Sequence, residues 1–181
     1  MICAWLWLST FLLYQTINQY EIKHKTFQNQ YYEEILGFTI DVLGYISSGL
    51  IFARLLKRKK FLFYIAFGIA ATGVIGCIAT RNDPDGNKDL IGIIFLYIGQ
   101  FGIAAAYQGC FVIMEIFPSI IYSFTIGVCN LLGVTSTIVA LFAFPLMNDP
   151  TYNIRLAICA TLILIACILV PLLKGSHYIL I

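Results

Sequence analysis

The sequence predicts an all-α membrane protein with six transmembrane helices, and three observations carry that prediction. Of 181 residues, 60% are hydrophobic and only 11% are charged, against about 25% charged in an ordinary soluble domain. Mean hydropathy is +0.89, whereas a water-soluble chain of this size needs far more polar side chain to cover its surface. The apolar residues also fall into runs close to the ~20 residues that a helix needs to cross a ~30 Å hydrocarbon core. A soluble enzyme is excluded on composition. The net charge of +2, from 11 basic and 9 acidic residues, leaves no electrostatic footprint for nucleic acid.

The whole of 1–181 reads as one transmembrane domain. The first span, 2–18, is short. No Lys or Arg precedes it and no A-x-A-like site follows it, so Met1 to Ile17 reads as a retained span rather than a cleaved signal. The second span is 34–56 and the third 61–80. The fourth, 90–117, is long enough to tilt or protrude. The fifth is 119–147 and the sixth 152–173. No run alternates with the period of two that a barrel strand requires. In lipid the backbone must satisfy its own hydrogen bonds, which leaves helices as the solution.

The connections are short and polar. Lys57-Arg58-Lys59-Lys60 is a basic block between the second and third spans. Arg81-Asn82-Asp83-Pro84-Asp85-Gly86-Asn87-Lys88-Asp89 is turn chemistry throughout. Pro118-Ser119 separates the fourth span from the fifth, and Asn148-Asp149-Pro150 the fifth from the sixth. Lys and Arg concentrate on the cytoplasmic side, so the 57–60 connection is expected inside. Six passes then put both termini in the cytoplasm. Six helices of this length are the size of half a twelve-helix carrier, and such halves are built from repeated triplets, although no residue-level repeat is visible.

The six cysteines, Cys3, Cys77, Cys110, Cys129, Cys159 and Cys167, form no C-x-x-C pair and lie in apolar runs. They read as small apolar fillers rather than metal ligands or disulfides. His24 and His177 are isolated. No catalytic, nucleotide, cofactor or metal motif is present, so no catalytic residue, cofactor or metal site is expected.

Intramembrane polar groups are the informative residues. A carboxylate at the bilayer centre costs at least ~2.5–3.5 kcal/mol, which singles out Asp41 inside the second span. It either faces a cavity and meets a cation, or snorkels to the outer interface. Glu115, at the inner end of the fourth span, lies on the same side as Arg54, Lys57 and Arg58. These four charges read as an inner gate, or as solvated helix-end groups. In the fourth span Gly99, Gly102, Ala106 and Gly109 recur at helical spacing, which lets another helix pack closely. Tyr97, Gln100, Tyr107 and Gln108 gather on a different face and suit either ligand binding or interhelical hydrogen bonding. Asn130 is a further polar residue in mid-span. Thr135, Ser136 and Thr137 can bond their own backbone, and Trp5, Trp7 and Tyr14 read as anchors or packing groups.

Gly99-Gln100-Phe101-Gly102-Ile103-Ala104-Ala105-Ala106-Tyr107, followed by Met114-Glu115-Ile116-Phe117-Pro118-Ser119, resembles the tenth helix of the organic cation/anion/carnitine transporters. That family belongs to the major facilitator superfamily and carries a G-K-F-G-I-A-A-A-F-like run and then E-L-[YF]-P-[TS]. Gly127-Val128-Cys129 resembles its following G-V-x-x-C-like stretch, and Arg54-Leu55-Leu56-Lys57-Arg58 its D-R-x-G-R-R loop. Asp41 stands where the family often carries a Glu. The resemblance covers about residues 33–175. It implies half of a major-facilitator-type fold, helices seven to twelve, with solute held between two six-helix halves and released by alternating access. The departures thin the charge pattern. Ala53 and Leu56 replace the loop Asp and Gly, Gln100 replaces a Lys, and Tyr122 replaces an Arg. Val134 stands where carriers often place a charged residue.

These readings lead to one expectation and one alternative. The expectation is a secondary carrier of small organic solutes or ions, seated in the plasma-membrane bilayer and partnered by a second six-helix half. Asp41, Gln100, Tyr107, Gln108 and Asn130 would bind substrate, and Arg54, Lys57, Arg58 and Glu115 would gate it. The alternative is a truncated, non-transporting membrane protein or a helix-bundle interaction partner.

Overall fold

A computed structural model describes residues 2–23, 30–54, 59–81, 88–114, 117–143 and 152–170. The described residues form six helices and no strand: α1 (Ile2–Lys23), α2 (Gln30–Arg54), α3 (Lys59–Arg81), α4 (Lys88–Met114), α5 (Ser119–Ala143) and α6 (Tyr152–Leu169). Three segments are long and apolar enough to cross a membrane: Phe61–Thr80, Ile91–Phe111 and Ser119–Phe142. Ile2–Thr16 and Ala160–Leu169 are shorter apolar stretches. The fold is therefore all-helical and compatible with a membrane protein.

Helix ends follow backbone chemistry more than hydropathy. α2 begins at Gln30, ahead of the apolar run, because Gln and Glu are good helix formers that extend a helix into a polar interface. α1 likewise continues past the apolar run to Lys23. Pro118 lacks an amide hydrogen and cannot continue α4. Its carbonyl instead accepts the amides of Ile121 and Tyr122, which starts α5. Hydroxyls inside the apolar helices turn back onto their own backbone. Thr10 donates to Leu6 O, Thr16 to Leu12 O, Thr135 to Leu131 O, and Ser136 and Thr137 to Gly133 O.

α4 is the centre of the bundle, with α1, α2 and α3 all packed on it. The α3–α4 seam is the tightest. A Cβ on Gly73 would land on the backbone of Gly99, and one on Gly102 on the backbone of Ala70; Gly109 faces the Phe63 ring. α4 thus brings Gly99, Gly102 and Gly109 to one partner, α3. Ala106 is also buried, with 1% exposed.

The contact registers fix relative directions. Along α1 and α4, Thr10 meets Cys110, Phe11 meets Tyr107 and Trp7 meets Phe111, so the two helices run antiparallel. Along α2 and α4, Gln100 reaches Gly37 while Ser48 reaches Ala105, so these two run parallel. α3 is antiparallel to α4, with Gly109 against Phe63 and Gly92 against Thr80. Cys3 lies near Cys129 and Leu8 near Ser136, which makes α1 and α5 parallel. Directions therefore alternate from α1 through α5. The packing also pairs off: α1 lies on α5 as α4 lies on α2, with α1 against α4 and α3 against α6.

The core is aromatic and small-residue. Trp7 stacks on Phe11 at 5.6 Å between centroids, and Tyr107 and Phe111 meet it from α4. α2, α5 and α6 are the outer elements. α5 exposes Ile120, Phe124, Leu131 and Phe142, and α2 exposes Phe38, Val42, Ile46 and Leu50. Water would not tolerate so continuous an apolar surface, whereas lipid chains match it.

Candidate functional site

Asp41 sits mid-way along α2, where an acidic residue in an apolar helix must either find partners or be displaced. The structure buries it, with 5% exposed, rather than letting it snorkel. Tyr14 of α1 donates its hydroxyl to Asp41 Oδ2 at 2.9 Å. Gln100 of α4, 3% exposed, is the second side chain within reach of the carboxyl. Its Nε2 donates to the Gly37 carbonyl at 3.4 Å, one helical turn before Asp41. That bond points the amide nitrogen at α2, the helix that carries the Asp41 carboxyl.

Two oxygens in this cluster are buried without a hydrogen-bond partner: Asp41 Oδ1 and Gln100 Oε1. Both are acceptors, so neither can satisfy the other. A buried acceptor left unmade costs about 1–3 kcal/mol. Stability alone would replace such a pair with apolar side chains, so its presence marks a site that does something else.

The wall of the site is phenolic. Tyr45, one turn after Asp41, lies beside Tyr14, Asp41 and Tyr107, and its ring centroid is 5.9 Å from that of Tyr107. Tyr107 leans in turn on Phe11 at 5.1 Å and Phe111 at 5.2 Å. α1 and α2 have little direct packing; both rest on α4, and Tyr14–Asp41 is the polar bond that joins them. α4 itself supplies the spacing, because Ala104 and the Phe101 carbonyl sit where a Cβ on Gly44 would go, drawing α2 close.

Among the described residues, no Lys or Arg stands level with Asp41 along its helix. Arg81 is the nearest Lys or Arg along the helices packed around the cluster. It stands about 12 Å along α3 from Gly73, the residue that faces Gly99. Arg54, on α2 itself, is about 20 Å away along the axis. Among the described residues no group of three or more His, Cys, Asp or Glu converges to hold a metal.

Asp41, Gln100 and Tyr107 are thus brought together. Gln108 is half-buried and follows Tyr107 in α4, turned to a different side of the helix. Asn130, half-buried on α5, follows Cys129, which lies near Cys3. That level is about 15 Å along α1 from Tyr14, so Asn130 stands apart from the cluster. The inner-gate charges Lys57, Arg58 and Glu115 lie outside the described residues, as does the side chain of Arg54, whose backbone ends α2. Tyr14 and Tyr45 belong to the cluster although the sequence did not single them out as binding groups. A phenol in an apolar run looks like a packing residue until its hydroxyl is seen to meet a carboxylate on another helix.

No protein-family model matches this sequence, and no curated protein does either.

Proposed function

We propose that this chain is a six-span half of a secondary carrier for small organic solutes or ions, working by alternating access without nucleotide or cofactor. The observation that carries the reading is the pair of buried, unpartnered oxygens on Asp41 and Gln100, held where α1, α2 and α4 meet. Intramembrane ionisable groups mark solute or ion pathways. The paired packing of α1 on α5 and α4 on α2 supports a repeated-triplet architecture of major-facilitator type. The resemblance of residues 99–119 to the organic cation/anion/carnitine transporters points the same way.

In this reading Asp41, Gln100 and Tyr107, with Gln108 next to Tyr107 and Asn130 at another depth, meet the solute or its coupling ion as the halves rock. Arg54, Lys57, Arg58 and Glu115 close the cytoplasmic end. The apolar faces of α2 and α5 meet lipid and a second six-helix half. The plasma membrane is the proposed location, with both termini cytoplasmic. A second reading, a non-transporting helix-bundle partner, is favoured by one observation: the polar cluster is sealed inside a single six-helix unit.

Reconstitution into lipid vesicles separates them. The chain, alone or with a second half, is expected to give saturable uptake of at least one radiolabelled organic cation or anion above protein-free vesicles. Absence of uptake across a panel of both charges removes the carrier and leaves the interaction partner. The six-pass threading has its own test. Lys57→Cys and Asn87→Cys, on a background lacking the native cysteines, are expected to react with an impermeant maleimide from opposite faces of the membrane. Reaction of both from one face would overturn the topology.

A further inference from the structure

α5 carries an amide in mid-span that the fold leaves unanswered. Asn130 lies midway along the Ser119–Phe142 segment, with about 17 Å of apolar helix on either side. The hydroxyls of Thr125 and Thr135 on the same helix return to carbonyls of their own turns, as those of Thr39, Thr72 and Thr161 do elsewhere. The Asn130 amide does not, and it makes no hydrogen bond among the described residues. Hydrocarbon offers neither donor nor acceptor, so the amide needs a partner on another helix. The surface around it is open. The inner face of α5, with Cys129, Gly133, Ser136 and Ala140, is buried, and Gly133 and Ser136 meet α1. The outer face carries Ser123, Gly127, Leu131 and Val134, all exposed, and Asn130 stands half-buried at its edge. Nothing lies within 4 Å of a Cβ on Gly127. That glycine serves no contact inside the bundle and leaves room for a backbone outside it. α5 has no Lys, Arg, Asp or Glu, so no ion pair can recognise what docks there. The outer face of α2 makes no such demand, because Thr39 and Ser47 both bond their own turns.

We propose that the outer face of α5 binds a second copy of this chain, in parallel about a twofold axis normal to the membrane, with Asn130 bonded to the partner's Asn130. Copies of one chain insert in one orientation, because their Lys and Arg bias is the same, so the two α5 helices run parallel. A twofold axis between them brings each residue beside it to its own counterpart. That geometry requires groups that are complementary to themselves. An amide is such a group, since its C=O accepts and its N–H donates, whereas two carboxylates or two ammonium groups would repel. Glycine is another, because two glycines let backbones approach where two long side chains hold them apart. A partner of different sequence would need a donor and an acceptor placed at this one depth, and a lipid chain supplies neither. In the carrier reading, on which this role of the dimer rests, the second six-helix half is a second copy. Asn130 then stands on the boundary that the two halves share.

The test reads association of the full chain diluted in lipid vesicles, by energy transfer between donor- and acceptor-labelled copies. Wild type is expected to dimerise. Asn130→Leu should weaken association about tenfold, the scale of an interhelical hydrogen bond, and Asn130→Gln, which keeps the amide, should restore most of it. Gly127→Leu is expected to abolish it, and since the new side chain enters open space in the single chain, that loss would not come from a damaged bundle. Gly49→Leu, equally open on α2, should change nothing. On a background lacking the native cysteines, Gly127→Cys and Asn130→Cys are expected to cross-link into a covalent dimer under mild oxidation. Val128→Cys, exposed at the same depth but about 160° around α5 from Asn130, should not. A monomeric wild type, or association that neither α5 variant changes, overturns the proposal. Dimers without uptake of any organic ion keep the interface and remove the carrier reading. Uptake that appears only when a six-helix half of different sequence is supplied removes the self-pairing and keeps the carrier.

Discussion

Gly73→Leu and Gly102→Leu are each expected to prevent assembly of the α3–α4 pair. At Gly73 the first added atom meets the backbone of Gly99 and the Phe95 carbonyl. At Gly102 it meets the Ala70 backbone and the Ala66 carbonyl. Overpacking against side chains costs about 1–3 kcal/mol because rotamers adjust. Backbone has no rotamer, so the helices must separate. That opens the contacts of Phe63, Ala66, Phe67, Ala70 and Val74, all among the most buried residues. The cost should exceed ~3 kcal/mol, a large part of the 5–15 kcal/mol by which domains are commonly stable. Loss of a monodisperse peak in detergent, or a collapsed unfolding midpoint, is the measurement. Gly49→Leu is the matched control. Nothing lies within 4 Å of a Cβ there, and a change within about 0.5 kcal/mol is expected, as for surface sites. Equal damage from Gly49→Leu and Gly102→Leu would show that close approach is not what glycine provides in this seam.

The same seam shows what the sequence could and could not disclose. Glycines at 99, 102 and 109 announce that some helix comes near α4, because small residues at helical spacing have few other uses in a membrane. They do not say which helix. The reciprocal glycines, Gly73 and Gly76 on α3, carry the same signal more weakly, since Gly is common in transmembrane helices. The apolar runs located the helices closely, as with the run at 61–80 inside α3 (Lys59–Arg81). Where hydropathy and helix end differ, as at Gln30 and Lys23, a helix is held by backbone bonds that continue into polar sequence.

The site was half visible for a related reason. Asp41 and Gln100 stand out because their burial must be compensated, whatever the fold. Tyr14 does not, because a phenol is at home in an interface, in a core or on a carboxylate. Its place was decided by the antiparallel register of α1 on α4 and the parallel register of α2 on α4. No local spacing encodes that register. Asn130 fails the other way: its chemistry suits a site, but α5 follows α1 at the level of Cys3, far from the carboxyl.

Asp41→Leu combined with Tyr14→Phe is expected to hold or raise stability and abolish function, which a structural carboxylate would not do. Leu keeps the branching of Asp, with methyls larger than the oxygens they replace, and removes an oxygen that no donor satisfies, while Phe at position 14 removes the hydroxyl that would lose its acceptor. Exchanging buried polar groups for apolar ones of similar shape is commonly neutral or stabilising, and in lipid the balance shifts further toward the apolar residue. An unfolding midpoint in detergent equal to or above that of wild type is therefore expected, together with complete loss of gradient-driven uptake. Tyr14→Phe in the wild-type background removes the donor to Oδ2, and about 1–3 kcal/mol of destabilisation is expected. In the Asp41→Leu background the same change should cost little, because its partner has gone. The difference between the two backgrounds measures the Tyr14–Asp41 bond itself, free of what else either side chain does. If the double variant instead lost several kcal/mol of stability and left uptake intact, the cluster would be a structural fastening of α1 to α2. Stability gained where activity is lost is the signature of a group kept for what it binds.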